Sequence, residues 1–221
     1  MAYSNSIWLS LLFGETVYTL SSTVTEILPT NTDEALIKSA SSGDHNAFRE
    51  LVDRHQNAII KTVTGMLGPS SEVDDVVQEA FIRFYKNLGR FRGNSTCRTY
   101  LTRIAINASL DALRCRKRSL SRFLSRDDPS LNLPEPEIHD SESERFERRQ
   151  MIHSAMNQLK PHHRSVIVLR LIDGYSSIET AEILGIAHGT VLSRLNRATA
   201  QLRRILHPLL EENISTIFIE H

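Results

Sequence analysis

Between Asp74 and Arg118 the apolar residues fall three and four positions apart, while the charge on the opposite side changes sign partway along. Val76, Val77, Ala80, Phe81, Phe84 and Leu88 form one stripe, and Leu101, Ile104, Ala105 and Ala108 form the next. A repeat of about 3.6 residues can be buried on one side only as helix, since a strand would turn alternate members of each stripe into water. The polar side of the first stripe is acidic at Asp74, Asp75 and Glu79. That of the second is basic: from Arg90 to Arg126 come Arg90, Arg92, Arg98, Arg103, Arg114, Arg116, Lys117, Arg118, Arg122 and Arg126, against the single acid Asp111. Local fields of this kind attract phosphates even though the 221-residue chain has a formal net charge of +0.

The same periodicity organises the flanking sequence. A helix is predicted from Thr32 to Ala40, begun by Thr32 or Asp33 and ended by Ser41, Ser42 and Gly43. Asp44 caps a second, whose stripe is Ala47, Phe48, Leu51, Val52, Ile59, Ile60, Val63 and Leu67, stopped by Gly68 and Pro69. Ser71 and Asp74 begin the third, Gly89 closes it, and the fourth runs from about Cys97 to Arg118. The composition then flips, because residues 127–144 carry three prolines, many acids and little to bury, as an extended linker would.

Beyond the linker, a helix through Phe146, Met151, Ile152, Ala155 and Leu159 stops near Pro161, and another spans His162 to Ile172. Ser176 with Glu179 has the form of a capping box opening a short helix through Ile178, Ala181 and Leu184 to Gly185. The last helix starts near His188, turns Val191, Leu195, Ala198, Leu202 and Ile205 to one side, and is expected to end at Pro208. The fold class is therefore all-α: a four-helix domain over residues 32–126 and a four-helix domain over 145–208, joined by a flexible acidic linker at 127–144. Residues 1–31 read as a poorly ordered extension and residues 209–221 as a tail whose Ile214, Ile217, Phe218 and Ile219 can pack or bind a partner.

Several function classes drop out. There is no P-loop, GxSxG, HExxH or Gly-rich dinucleotide turn, so an enzyme is not expected, and no cofactor or small-molecule substrate is implied. Cys97 and Cys115 form no CxxC pair and have no His at ligand spacing, which argues against a disulfide framework and a zinc site and points to the cytoplasm. His162 and His163 diverge by about 100° on a helix and make a poor ligand pair, so no metal is expected. Acids such as Asp74, Asp75 and Glu79 in a first turn suit the helix dipole without any metal. Ile7 to Phe13 is too short to span a bilayer, and no Lys or Arg precedes it as in a signal peptide.

Two features point to nucleic acid. Residues 176–206 read as a helix-turn-helix, in which small Ala181 and Gly185 allow two helices to cross closely and Ser193, Arg194 and Arg197 are presented to base edges or phosphates. Arg203 and Arg204 are placed in solvent or near the DNA backbone. The loop before the fourth helix combines Phe91, Arg92, Gly93, Asn94 and Ser95, able to hold an unstacked base and its phosphate. Asn94 equally suits a turn, and Ser95 or Thr96 a helix cap.

With these residues in view, the chain resembles a bacterial RNA polymerase sigma factor of the extracytoplasmic-function (ECF) group over about Asp33 to Leu206. DVVQEAF at Asp75 to Phe81 resembles the segment that docks on core polymerase, FRGNSTCRTYLTRIAINASLDALRCRKR the part that melts and reads the minus-ten element, and LKPHHRSVIVLRLIDGYSSIETAEILGIAHGTVLSRLNRATAQLRR the minus-thirty-five domain. The resemblance implies polymerase contacts at Asp75, Gln78, Glu79 and Arg83. It implies DNA contacts at Arg92, Asn94, Ser95, Asn107, Arg114, Arg116 and Lys117 near the melted strand and at Thr190, Ser193, Arg194 and Arg197 on the upstream duplex. The implied function is transcription initiation at specific promoters, with core RNA polymerase, promoter DNA and an anti-sigma protein as partners. Tyr100 stands where the family most often has Trp, Cys97 where it often has Phe and Leu192 at a place commonly basic, while Ala187 is a poor cap. The competing expectation is a helix-turn-helix transcriptional regulator that binds duplex DNA without being a polymerase subunit.

Overall fold

The computed structural model describes residues 32–93, 95–123 and 142–219. Among these, eight helices occur and no strand: α1 (Asp33–Ser41), α2 (His45–Leu67), α3 (Glu72–Lys86), α4 (Cys97–Phe123), α5 (Glu142–Asn157), α6 (Pro161–Ile167), α7 (Ser177–Leu184) and α8 (His188–Ile219). The expected poorly ordered arm at 1–31 and most of the expected linker lie outside the described residues, although helical backbone already begins at Glu142.

Helix starts follow local chemistry. The Thr32 hydroxyl accepts the Ala35 N–H, and Asp44 accepts those of Asn46 and Ala47. Thr96, rather than Ser95, caps α4, its hydroxyl accepting the Thr99 N–H at 3.1 Å. Ser71 makes no such bond; its backbone is already α-helical, so α3 relies on Glu72, Asp74 and Asp75 against the dipole. The last helix does not stop at Pro208 but continues to Ile219. A proline there removes one backbone donor, a loss the flanking turns can absorb. The expected helix from His162 to Ile172 is α-helical only to Ile167 and widens into a π turn over Val168–Ile172.

Phe48, Leu51, Ile59, Val63, Phe81, Phe84 and Leu101 are all fully buried where α2, α3 and α4 meet. Phe84 and Tyr85 ring-pack on Phe48. Ile60, on the predicted stripe, is 38% exposed at its edge, and Ile106 is buried in addition to the predicted α4 positions.

The two helical bodies are not held apart. One apolar cluster runs from Leu36 through Phe84 and Leu101 to Leu169, Tyr175, Ile183 and Ala198. Gly65 of α2 lets the two bodies pack closely, since a Cβ there would meet the Val168 methyls at 3.0 and 3.2 Å. Around it, Arg164 of α6 is 4% exposed and donates to the carbonyls of Met66 at 2.6 Å, Asn157 at 2.8 Å and Leu159 at 3.4 Å. The Met66 and Asn157 carbonyls belong to the last turns of α2 and α5, where no helical N–H follows to meet them, and Leu159 lies just beyond α5. Lys61 Nζ donates to Ile172 O at 2.6 Å, and the Thr62 hydroxyl to Asp173 Oδ2 at 2.8 Å.

Burial pushes the Asp173 carboxyl above its ordinary value, against the Thr62 hydrogen bond and the charges of Lys61 and Arg98. A raised folded-state value means this site is most stabilising below the ordinary carboxylate range and loses that contribution as pH rises through the folded value. Asp173→Asn, which keeps an acceptor for Thr62, is therefore expected to raise the urea midpoint at about pH 7 and to lose that advantage near about pH 4. A midpoint difference independent of pH would count against it.

Candidate nucleic-acid interface

On α3, Asp75 and Glu79 are exposed and Gln78 half-buried, and their offsets of three and four place them on one side. The remaining predicted polymerase contact, Arg83, is engaged within the molecule: Nε donates to Glu79 at 2.7 Å and a terminal nitrogen to Asp111 at 3.3 Å. Asp111, the one acid of the basic stretch, also receives Arg114 at 2.8 Å, and Arg116 of α4 reaches back to Glu72 of α3 at 2.8 Å. These exposed pairs contribute about 0–1 kcal/mol each, little enough to be exchanged for phosphates. Among the predicted DNA contacts of α4, Asn107, Arg114 and Lys117 are exposed on a common side with Arg103, while Arg116 is half-buried.

Arg92 is exposed and Ser95 half-buried; Asn94 lies outside the described residues. Phe91 packs edge-on against Tyr100 at 5.4 Å, and Tyr100 lies 6.1 Å from Phe84, so the aromatic of the loop anchors its base to the core. The beginning of α4 is also partly covered. Ser95, Thr99, Tyr100 and Arg103 line a narrow cleft with Glu182 and Ile183 of α7. Beside it the Tyr175 hydroxyl bonds Thr102 at 2.9 Å, and the Arg98 guanidinium lies 5.6 Å from the Tyr175 ring centre.

The helix-turn-helix forms as its residues require. Ser176 and Glu179 complete the reciprocal capping box. Gly185 adopts the left-handed conformation at φ 63°, which lets the Ile186 N–H reach the Ala181 carbonyl. The inner side of α7 is Thr180 and Ile183, whereas Ile178 is 64% exposed. The His188 ring bonds Ser177 at 2.9 Å across the motif, and Val191 and Ala198 are fully buried. Thr190, Ser193 and Arg194 remain half-exposed and Arg197 exposed. The Ser193 hydroxyl donates to the Thr190 carbonyl at 3.1 Å, leaving its lone pairs for a DNA donor.

One group of candidates was not legible in the sequence. His162 and His163, rings 4.5 Å apart, stand on α6 close enough to Arg194 to feel its charge. Burial first, then the charge of His163 on His162 and of Lys160 on His163, and then that of Arg194 on each, holds both below the usual imidazole value. Only the fold brings α6 beside α8.

Among the described residues no helix is long and apolar enough to cross a membrane. An all-helical chain with a helix-turn-helix on one body and an Arg-rich helix beside an acidic one on the other is a DNA-binding protein built for more than one contact. The Sigma-70 region 2 family model matches residues 51–119, and the Sigma-70 region 4 model matches residues 149–202. The chain is 33% identical over 186 residues to the RNA polymerase sigma-H factor of Pseudomonas aeruginosa, covering 81% of this chain and 96% of that protein. It is 35% identical over 188 residues to the ECF RNA polymerase sigma-E factor of Escherichia coli strain K12, with coverage of 81% and 96%. Among solved structures it is similar to CnrH, solved in complex with the cytosolic domain of CnrY, at 30% identity and a TM-score of 0.57, covering 80% of this chain and 97% of that one. The chain belongs to the RNA polymerase sigma-70 family, in its ECF group.

Proposed function

We propose that this chain joins core RNA polymerase through the exposed acidic side of α3, reads the upstream promoter element with Thr190, Ser193, Arg194 and Arg197 of α8, and holds the melted minus-ten strand along α4 through Arg92, Asn94, Ser95, Asn107, Arg114, Arg116 and Lys117. The observation that carries this reading is the adjacency of two oppositely charged helix faces on one body with a separate, exposed reading helix on the other. The chain supplies binding, placement and charge but makes or breaks no covalent bond. It works in the cytoplasm, where the polymerase is. Because Glu182 and Ile183 of α7 lie against Ser95, Thr99, Tyr100 and Arg103, a strand following the start of α4 would compete with α7 for this surface. A protein partner that covers these faces would hold the chain inactive; the solved likeness of CnrH with the cytosolic domain of CnrY supports a partner of this kind.

Purified chain added to core polymerase is expected to yield promoter-dependent transcripts. A duplex shift by the chain alone, with no transcripts in the presence of core polymerase, would favour a free-standing regulator instead. Gln78→Lys with Glu79→Lys is expected to weaken binding to core polymerase by about tenfold or more, while duplex binding through α8 stays intact. Equal loss of both would place these side chains in the fold rather than at the interface.

A further inference from the structure

Three side chains distant in sequence converge at the start of α4. Asp33 lies in the first turn of α1, His55 midway along α2 and Cys97 at the first position of α4. Each offers one ligand atom, and these atoms lie within 4.8 Å of one another. His55 Nε2 is 2.8 Å from Asp33 Oδ2, while Asp33 Oδ1 accepts from Arg54 at 3.3 Å. The Cys97 residue is 2% exposed, and the His55 side chain 12%. A buried cysteine alone is most often a small apolar filler, and an Asp–His pair alone is most often an ordinary hydrogen bond. Together they assemble a mixed sulfur, nitrogen and oxygen donor set from three separate helices, which neither motif spacing nor helix periodicity requires.

We propose that Asp33, His55 and Cys97 form a binding site for a single borderline-soft divalent transition ion of the Zn²⁺ or Co²⁺ type. Ligand atoms of a tetrahedral Zn²⁺ site sit roughly 3.5 Å apart, so closure needs a contraction of about 1 Å and insertion of the ion into the His55–Asp33 hydrogen bond. A thiolate ligand disfavours Mg²⁺ and Ca²⁺, which take oxygen, and three protein ligands leave a fourth position for water. As the metal–sulfur bond forms, the Cys97 S–H bond breaks, its proton leaves to solvent and the sulfur lone pair goes to the ion. The bound ion would tie α1 and α2 to the start of α4, two residues beyond Ser95. It would thereby brace the base of the loop assigned above to the melted strand.

The test uses the full-length, metal-stripped chain, with neither polymerase nor DNA, so its outcome is independent of the promoter reading. Titration with Co²⁺ is expected to produce a thiolate-to-cobalt charge-transfer band and tetrahedral d–d bands, saturating at one equivalent and bleached by Zn²⁺. Cys97→Ser is expected to abolish the charge-transfer band, and His55→Gln and Asp33→Asn to weaken binding by roughly tenfold or more. Cys115→Ser, at the exposed second thiol, should leave the spectrum unchanged. Because a hydroxyl at position 97 is buried in apolar surroundings, Cys97→Ala, checked for native helix content, provides the same loss in a folded protein. Absence of the band in the parent, its persistence in a folded Cys97→Ala protein, or its loss in Cys115→Ser overturns the assignment.

Discussion

Changing Arg194 and Arg197 together to Ala is expected to lower promoter-dependent transcription by roughly a hundredfold or more while leaving binding to core polymerase unchanged. In the proposed reading each guanidinium makes a bidentate contact with a guanine edge or a phosphate, worth about 1–3 kcal/mol apiece. The two lie three positions apart on one side of α8, so their losses need not add strictly. Arg197 is exposed and Arg194 half-exposed, and neither appears among the intramolecular ion pairs of the described residues. Truncation therefore removes reach toward DNA with little cost to the fold. The measurement is transcript yield from promoters altered one base pair at a time in the upstream element. An unchanged order of promoter preference would remove both side chains from the reading surface.

A second large effect is expected in stability rather than recognition. Arg164→Met nearly conserves volume but removes the donors that satisfy Met66, Asn157 and Leu159 carbonyls. Hydrogen bonds to a charged donor contribute about 1.5–3 kcal/mol each, offset by the relief of burying a guanidinium. Burial, then the charge of Arg116, already holds that group below its ordinary pKa. The net loss is expected to be about 2–4 kcal/mol in urea unfolding followed by circular dichroism, a large share of a domain's total stability. An unchanged midpoint would mean that the bonds closing the ends of α2 and α5 contribute nothing beyond what water could supply.

These two arginines show which parts were legible beforehand. The accessibility of Arg194 could be anticipated because Val191, Leu195 and Ala198 set the inner side of its helix, and exposure of the remaining side follows from helical geometry alone. The burial of Arg164 could not, since nothing in its neighbourhood distinguishes a solvated arginine from one that caps a helix 98 positions away. Arg83 and Arg116 fall between: the pairing of Arg83 with Glu79, like that of Arg114 with Asp111, is local to one helix, but the reach of Arg83 to Asp111 and of Arg116 to Glu72 depends on how α3 lies across α4.

Cys97 marks the same boundary from another side. Sequence spacing argues against a metal there, because no histidine stands within a ligand motif; the fold sets His55 and Asp33 beside it. Burial, then Asp33 and Glu34, pushes the thiol up to about 12, so without a bound ion it stays protonated at neutral pH.

Periodicity, caps and charge order are local properties, and by themselves they determined eight helices, the capping box at Ser176, the turn at Gly185 and the segregation of acid from base. Tertiary packing alone decided that α7 covers the start of α4, that Arg164 and Asp173 clasp the two bodies, and that Asp33, His55 and Cys97 meet. The reason is range: a helix is specified by neighbours within four residues, whereas a contact between helices depends on where every intervening turn directs the chain.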